Sequence, residues 1–204
     1  MLLLALAMLA LSARADAHRL DEYLQAAKIS VAADRVGLEL DLSPGVAVAD
    51  GIVRGIDADG DDYISEAEAD DYAAGVLRAL TLSVDGRSLP LRLERRAVPS
   101  VDAMRQGVGV IRLEASAAVP AGAGRRELAF ANGFLPATSV YLVNALVPSD
   151  PRVTLVSQQR DPLQRTYSLE YEIAGGRAWA GWLATALGLF GLLILGRRRR
   201  PARV

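Results

Sequence analysis

Between residues 57 and 68 the chain places Asp57, Asp59 and Asp61 at alternate positions, followed by Tyr63, Ser65 and Glu68. Carboxylates at this spacing bring hard oxygen donors to one point, and a calcium ion, which takes about six to eight oxygens, needs such a set. The backbone carbonyl of Tyr63, Ser65 directly or through water, and both oxygens of Glu68 would complete the shell. Ile56 and Ile64 are apolar and could pin the run to its flanks. The competing reading is a solvated acidic turn that binds nothing.

A loop of this kind must be held at both ends. Residues 45–56 and 65–79 have helical patterning, with Val46, Val48, Ile52, Val53 and Ile56 on one apolar face and Tyr72, Val76, Leu77 and Leu80 on another. Ser65 can cap the second helix, and Glu68 three residues on completes a capping box. A shorter helix is predicted at 100–106, where Ser100 can cap and Asp102 suits the first turn.

The segment resembles the EF-hand, over one loop and its flanks. The resemblance implies a helix on each side, Ca2+ as the ligand, and Asp57, Asp59, Asp61, Tyr63, Ser65 and Glu68 as the metal-binding residues. It also implies that Glu68 serves the metal rather than the cap. Where the pattern has Gly at its sixth position this chain has Asp62, a residue type that tolerates a left-handed backbone. EF-hands usually work in pairs, and neither Asp34-Arg35 nor Asp150-Pro151 has the spacing of a second loop. A lone hand must pack against its own domain or self-associate with a second copy. Extracellular calcium modules bind at about 10^-4 to 10^-3 M, a range that suits a structural staple.

The rest of residues 18–176 has mostly a period of two. Val36, Leu38, Leu40 and Leu42 alternate with polar or small residues, as do Tyr167, Leu169, Tyr171 and Ile173. Further strands are predicted at 27–33, 80–85, 88–94, 108–118, 126–131, 138–147 and 152–158, with Asp85-Gly86 as a hairpin turn. Val140–Val143 is apolar on both faces and reads as a central strand. The expected fold class is mainly β with a helical insertion: an antiparallel β-sandwich-like ectodomain carrying an EF-hand-like helix–loop–helix at about 45–80, plus one C-terminal transmembrane helix.

The ends of the chain indicate location. Residues 1–17 resemble a secretory signal peptide, apolar over 2–13 and closing on Ala15-Asp16-Ala17, although no Lys or Arg precedes the apolar run. An uncleaved anchor is the competing reading. Residues 178–196 are long enough to span a membrane, with Trp179 and Trp182 at one end and a basic tail at 197–204 bearing Arg197–Arg200. The expectation is a single-pass cell-membrane protein with its main domain periplasmic or extracellular, meeting a protein partner whose identity the sequence does not reveal. Gly175-Gly176, the apolar run and the arginines also resemble a bacterial sorting signal cut by an intramembrane protease.

Setting aside Arg14, Asp16 and the arginines at 177, 197–200 and 203 leaves 16 basic and 23 acidic residues over 18–176, a net of −7. Eight of those acids lie between Asp57 and Asp71, so the domain attracts cations and repels nucleic acid. The chain has no cysteine and one histidine, which removes disulfides and leaves Cys/His and Ser/His catalysis nearly without material. No enzymatic role is expected. The alternative to calcium is copper or other transition-metal handling by His18, which cleavage after Ala17 would leave at the mature N-terminus.

Overall fold

The computed structural model describes residues 21–175. The segment 1–17 expected to be a signal peptide, His18, the apolar run at 178–196 and the basic stretch at 197–204 lie outside the described residues. Among the described residues no helix is long and apolar enough to cross a membrane.

The described chain is mainly β and forms two five-stranded sheets. The first contains β1 (Tyr23–Val31), β2 (Arg35–Pro44), β5 (Arg92–Ala97), β6 (Ile111–Ala118) and β8 (Ser139–Ala145), in the order β5-β6-β2-β1-β8. The second contains β3 (Leu80–Val84), β4 (Arg87–Ser88), β7 (Gly124–Asn132), β9 (Val153–Arg160) and β10 (Thr166–Ile173), in the order β4-β3-β7-β10-β9. Helices α1 (Val46–Arg54) and α2 (Glu66–Arg78) come between β2 and β3, and the short α3 (Val101–Arg105) between β5 and β6. The helical insertion therefore stands where the sequence places it.

The alternating residues do what their period implies. Val36, Leu38, Leu40 and Leu42 of β2 and Tyr167, Leu169, Tyr171 and Ile173 of β10 are all buried, and one hydrophobic cluster joins the two sheets. Asp85 (φ 52°) and Gly86 (φ 75°) make the two-residue turn between β3 and β4, with both central residues left-handed, as a turn matched to strand twist requires. The Asp85 carboxylate accepts from Glu127 N (2.9 Å) and Arg126 Nε (2.6 Å), which ties the turn to β7.

Three expectations need correction. The single strand at 88–94 does not form. Arg87 and Ser88 pair with β3 in one sheet, while Arg92–Ala97 pair with β6 in the other. Pro90, which has no N–H to donate, lies in the crossing between them. The sandwich is not wholly antiparallel, because β8 runs parallel to β1. Nor is Val140–Val143 central: β8 is an edge strand, and Leu142 on its outer face remains 40% exposed. An apolar run on both faces reads the same whether the second face meets protein or solvent.

Polar groups on the inner face of β1 are all bonded. Gln25 is wholly buried. Its Nε2 donates to Phe134 O (3.0 Å) and Ser139 Oγ (2.6 Å), and its Oε1 accepts from Asn132 Nδ2 (2.8 Å) of the opposite sheet. The Tyr23 hydroxyl meets the Tyr72 hydroxyl of α2 at 2.6 Å. Burial raises both phenols, Tyr72 to about 12, so each keeps its proton at neutral pH. Asn132→Ala leaves the Gln25 carbonyl oxygen without its donor and is expected to cost about 1–3 kcal/mol. Urea unfolding should show this as a lower midpoint with an unchanged slope.

Candidate metal centre

Helix α1 buries Ala49, Ile52 and Val53, and α2 buries Ala69, Tyr72, Ala73 and Val76. The predicted faces hold except at Val46, which stays exposed at the start of α1. Ile56 is buried and Ile64 packs on the core, so both ends of the intervening loop are fixed by apolar contact.

Asp57 follows the last turn of α1 and is only 7% exposed. A carboxylate this far from water is costly to bury unless it is hydrogen-bonded. Its Oδ1 accepts from Gly60 N (2.8 Å) and Asp61 N (3.2 Å), and its Oδ2 accepts from Asp62 N (3.0 Å). Aiming three N–H groups at one side chain curls the chain back, and Gly60 (φ 76°) and Asp62 (φ 61°) both take the left-handed conformation. Smaller rings continue the curl: Asp59 Oδ1 accepts from Asp61 N (3.3 Å), and Asp61 Oδ1 from Tyr63 N (2.8 Å).

Asp57, Asp59 and Asp61 each offer a carboxylate oxygen within 4.8 Å of the others, a group that could hold a metal ion. The donor set is entirely oxygen, which suits a hard cation. Like charges crowd here. The Asp61 N–H bond pulls the Asp59 carboxyl down, but desolvation, the charges of Asp61 and Glu68, and Asp57 together hold it above its ordinary range. A bound cation would reverse that penalty.

The carboxylate of Glu68 is not part of that group. Glu68 serves the cap instead. Its Oε2 accepts from Ser65 N (2.9 Å) and Ser65 Oγ (2.7 Å), while Ser65 Oγ accepts from Glu68 N (3.3 Å). Its Oε1 reaches across the loop to Ala58 N (2.7 Å), closing the ring from the far side. The bonds from Ser65, with the one from Ala58, lower the Glu68 carboxyl from 4.5 to about 2. Ser65 is thus engaged in the cap as well, and the Tyr63 side chain stands exposed.

Two arginines that the sequence did not single out hold this unit from outside. Arg105 of α3 bonds Asp50 Oδ1 of α1 through Nε (3.0 Å) and Asp62 Oδ1 through Nη2 (2.9 Å). Arg96 of β5 bonds Asp70 Oδ1 through Nε (2.6 Å), and Glu66 through both its main-chain oxygen (2.8 Å) and its Oε2 (2.9 Å). The acids are largely exposed, so solvent screens each pair and its contribution is small. Nothing in the spacing of Arg96 or Arg105 announces a partner far back in the chain.

Comparison of the chain with protein-family models, curated proteins and solved structures finds no match.

Two expectations follow from this geometry. Because the folded-state carboxyl of Glu68 lies below its ordinary value, its bonds stabilise fully above about pH 4.5 and are lost as pH falls towards about 2. Unfolding midpoints of wild type and Glu68→Gln should therefore converge as pH is lowered across that window. At Asp62, Gly accepts the left-handed backbone freely and a β-branched side chain does not. Asp62→Gly should change stability by less than about 1 kcal/mol, and Asp62→Val should cost about 1–2 kcal/mol, read by thermal unfolding.

Proposed function

We propose that this chain binds calcium through an EF-hand-like loop and acts as an extracytoplasmic structural or interaction module anchored to the cell membrane. The observation that carries the reading is the meeting of Asp57, Asp59 and Asp61 oxygens within 4.8 Å, on a loop already curled around the buried Asp57. Glu68 completes the shell by leaving its cap, so that loading exchanges N–H bonds for metal bonds at the start of α2. Ser65 and the Tyr63 carbonyl supply the remaining protein oxygens. Calcium then acts as a staple that fixes the insertion against the sheets, and the role is one of binding, without catalysis.

The sequence ends support the location. A leader, an apolar run at 178–196 and arginines beyond it fit a single pass with residues 21–175 outside. The acidity of the domain turns away nucleic acid and draws cations, and its partner is another protein or a second copy.

Calorimetric titration of the full chain in detergent micelles tests the metal reading. Ca2+ should bind at one site with Kd about 10^-4 to 10^-3 M, be lost in Asp59→Asn/Asp61→Asn, and survive competition by equimolar Mg2+. At about 100-fold Kd the ion should stabilise the fold by about 2.7 kcal/mol. Absence of heat up to about 10 mM Ca2+, well above that affinity range, would reject calcium.

A further inference from the structure

One end of the two-sheet body gathers the turn between β1 and β2, the loops after β6 and β8, and the exit of β10. Val119 N donates to Asp34 O (2.8 Å), Ala33 N to Asp150 Oδ2 (3.1 Å), Leu146 N to Ile29 O (2.8 Å) and Ala174 N to Arg152 O (2.8 Å). The acidic loop lies beyond the other end. β2 leaves this cluster at Arg35 and runs ten residues, about 33 Å, before α1 begins.

The two ends differ in chemistry. The loop end carries the eight acids between Asp57 and Asp71. At the exit end, 119–124 and 145–149 contain no charged residue. Val147 is 91% exposed there, beside the partly exposed Leu146. Both signs of charge occur at this end, with Arg35, Arg126 and Arg152 near Asp34, Asp85 and Asp150. Val46 and Val108 are exposed at the other end, so an apolar pair alone does not choose the surface. The chain itself says which: the apolar run at 178–196 starts three residues beyond Gly175, a distance that extended chain covers in about 10 Å.

We propose that this end of the domain is a membrane-contact surface. Leu146 and Val147 enter the interfacial layer of the bilayer, arginines meet the headgroup phosphates, and the acidic loop points away from the lipid. The proposal rests on the anchor reading given above and adds to it a fixed orientation. It directs the cation-binding loop toward the end of β2 remote from Arg35, away from anionic headgroups that would repel its acids and compete for its ion.

The chain has no cysteine, so single labels can be placed without removing any residue. Val147→Cys and, near the opposite end beside Val46, Val108→Cys are both at exposed positions. Each full-length variant would carry a nitroxide and be reconstituted into vesicles of phosphatidylethanolamine and phosphatidylglycerol. Collision with oxygen, which concentrates in lipid, is compared with collision with a water-soluble chromium complex. The expected result is a label at 147 reached by oxygen and shielded from chromium, and a label at 108 with the reverse preference. A label at 147 as open to chromium as that at 108 overturns the proposal. Shielding from both reagents also overturns it, since a protein surface then covers Val147. Carbonate washing reports the anchor separately. Chain retained with an aqueous label at 147 defeats the orientation alone, and chain released from the vesicles defeats anchor and orientation together.

Discussion

Gln25 occupies the inner face of β1 with no exposure to water, where an amide left unbonded costs about 1–3 kcal/mol. Its bonds constrain two different parts of the fold. The bond from Asn132 crosses to the second sheet, and those to Phe134 O and Ser139 Oγ hold the 133–138 connection that leads into β8. Asn132 Oδ1 in turn accepts from Phe134 N (3.0 Å), and the Phe134 ring stands edge-on to Tyr72 of α2 at 5.7 Å. Two residues before Gln25, Tyr23 reaches the same Tyr72 through its hydroxyl. The register between the sheets and the seat of the helical insertion are thus set by one network, because moving either would break bonds that no water is present to replace.

This rigid seat explains how a lone acidic loop stays organised. Its crowded carboxylates repel one another, and the repulsion is offset from two directions. Inside, backbone N–H groups converge on Asp57 and satisfy both oxygens of that buried carboxyl group. Outside, Arg96 and Arg105 neutralise acids on α1, the loop and α2. Both arginines come from the segment between β4 and β6, so the sandwich supplies the lateral support that a second loop of the same kind would otherwise give. Glu68 stands between the cap and the loop. It is bonded to N–H groups at both edges of the ring, and in the proposed calcium site those are the bonds the ion would displace.

Local features were legible because their causes are local. The alternation in β2 and β10 records burial on one face of a strand, the Asp85-Gly86 pair records a turn with two left-handed residues, and Ser65 with Glu68 records a cap. Edge position left no such record. Val140–Val143 reads as central because its side chains are apolar on both faces, yet a strand's neighbours depend on where the 133–138 connection delivers it. The strand at 88–94 was misread for a related reason: its residue types fit a sheet, and only the crossing at Pro90 shows that they fit two.

By itself the sequence determined the mainly β character, the inserted helices, and three carboxylates spaced to come together on one loop. Each follows from periodicity or from the geometry of a few consecutive residues. The tertiary structure alone decided that β8 lies parallel to β1 at an edge, that Gln25 and Asn132 join the sheets, that Arg105 reaches Asp62, and that Glu68 holds its cap. These pairings bring together residues distant in the chain or choose between two local partners for one side chain. Either outcome costs free energy elsewhere in the fold, and that cost is set by packing, which no single stretch of sequence contains.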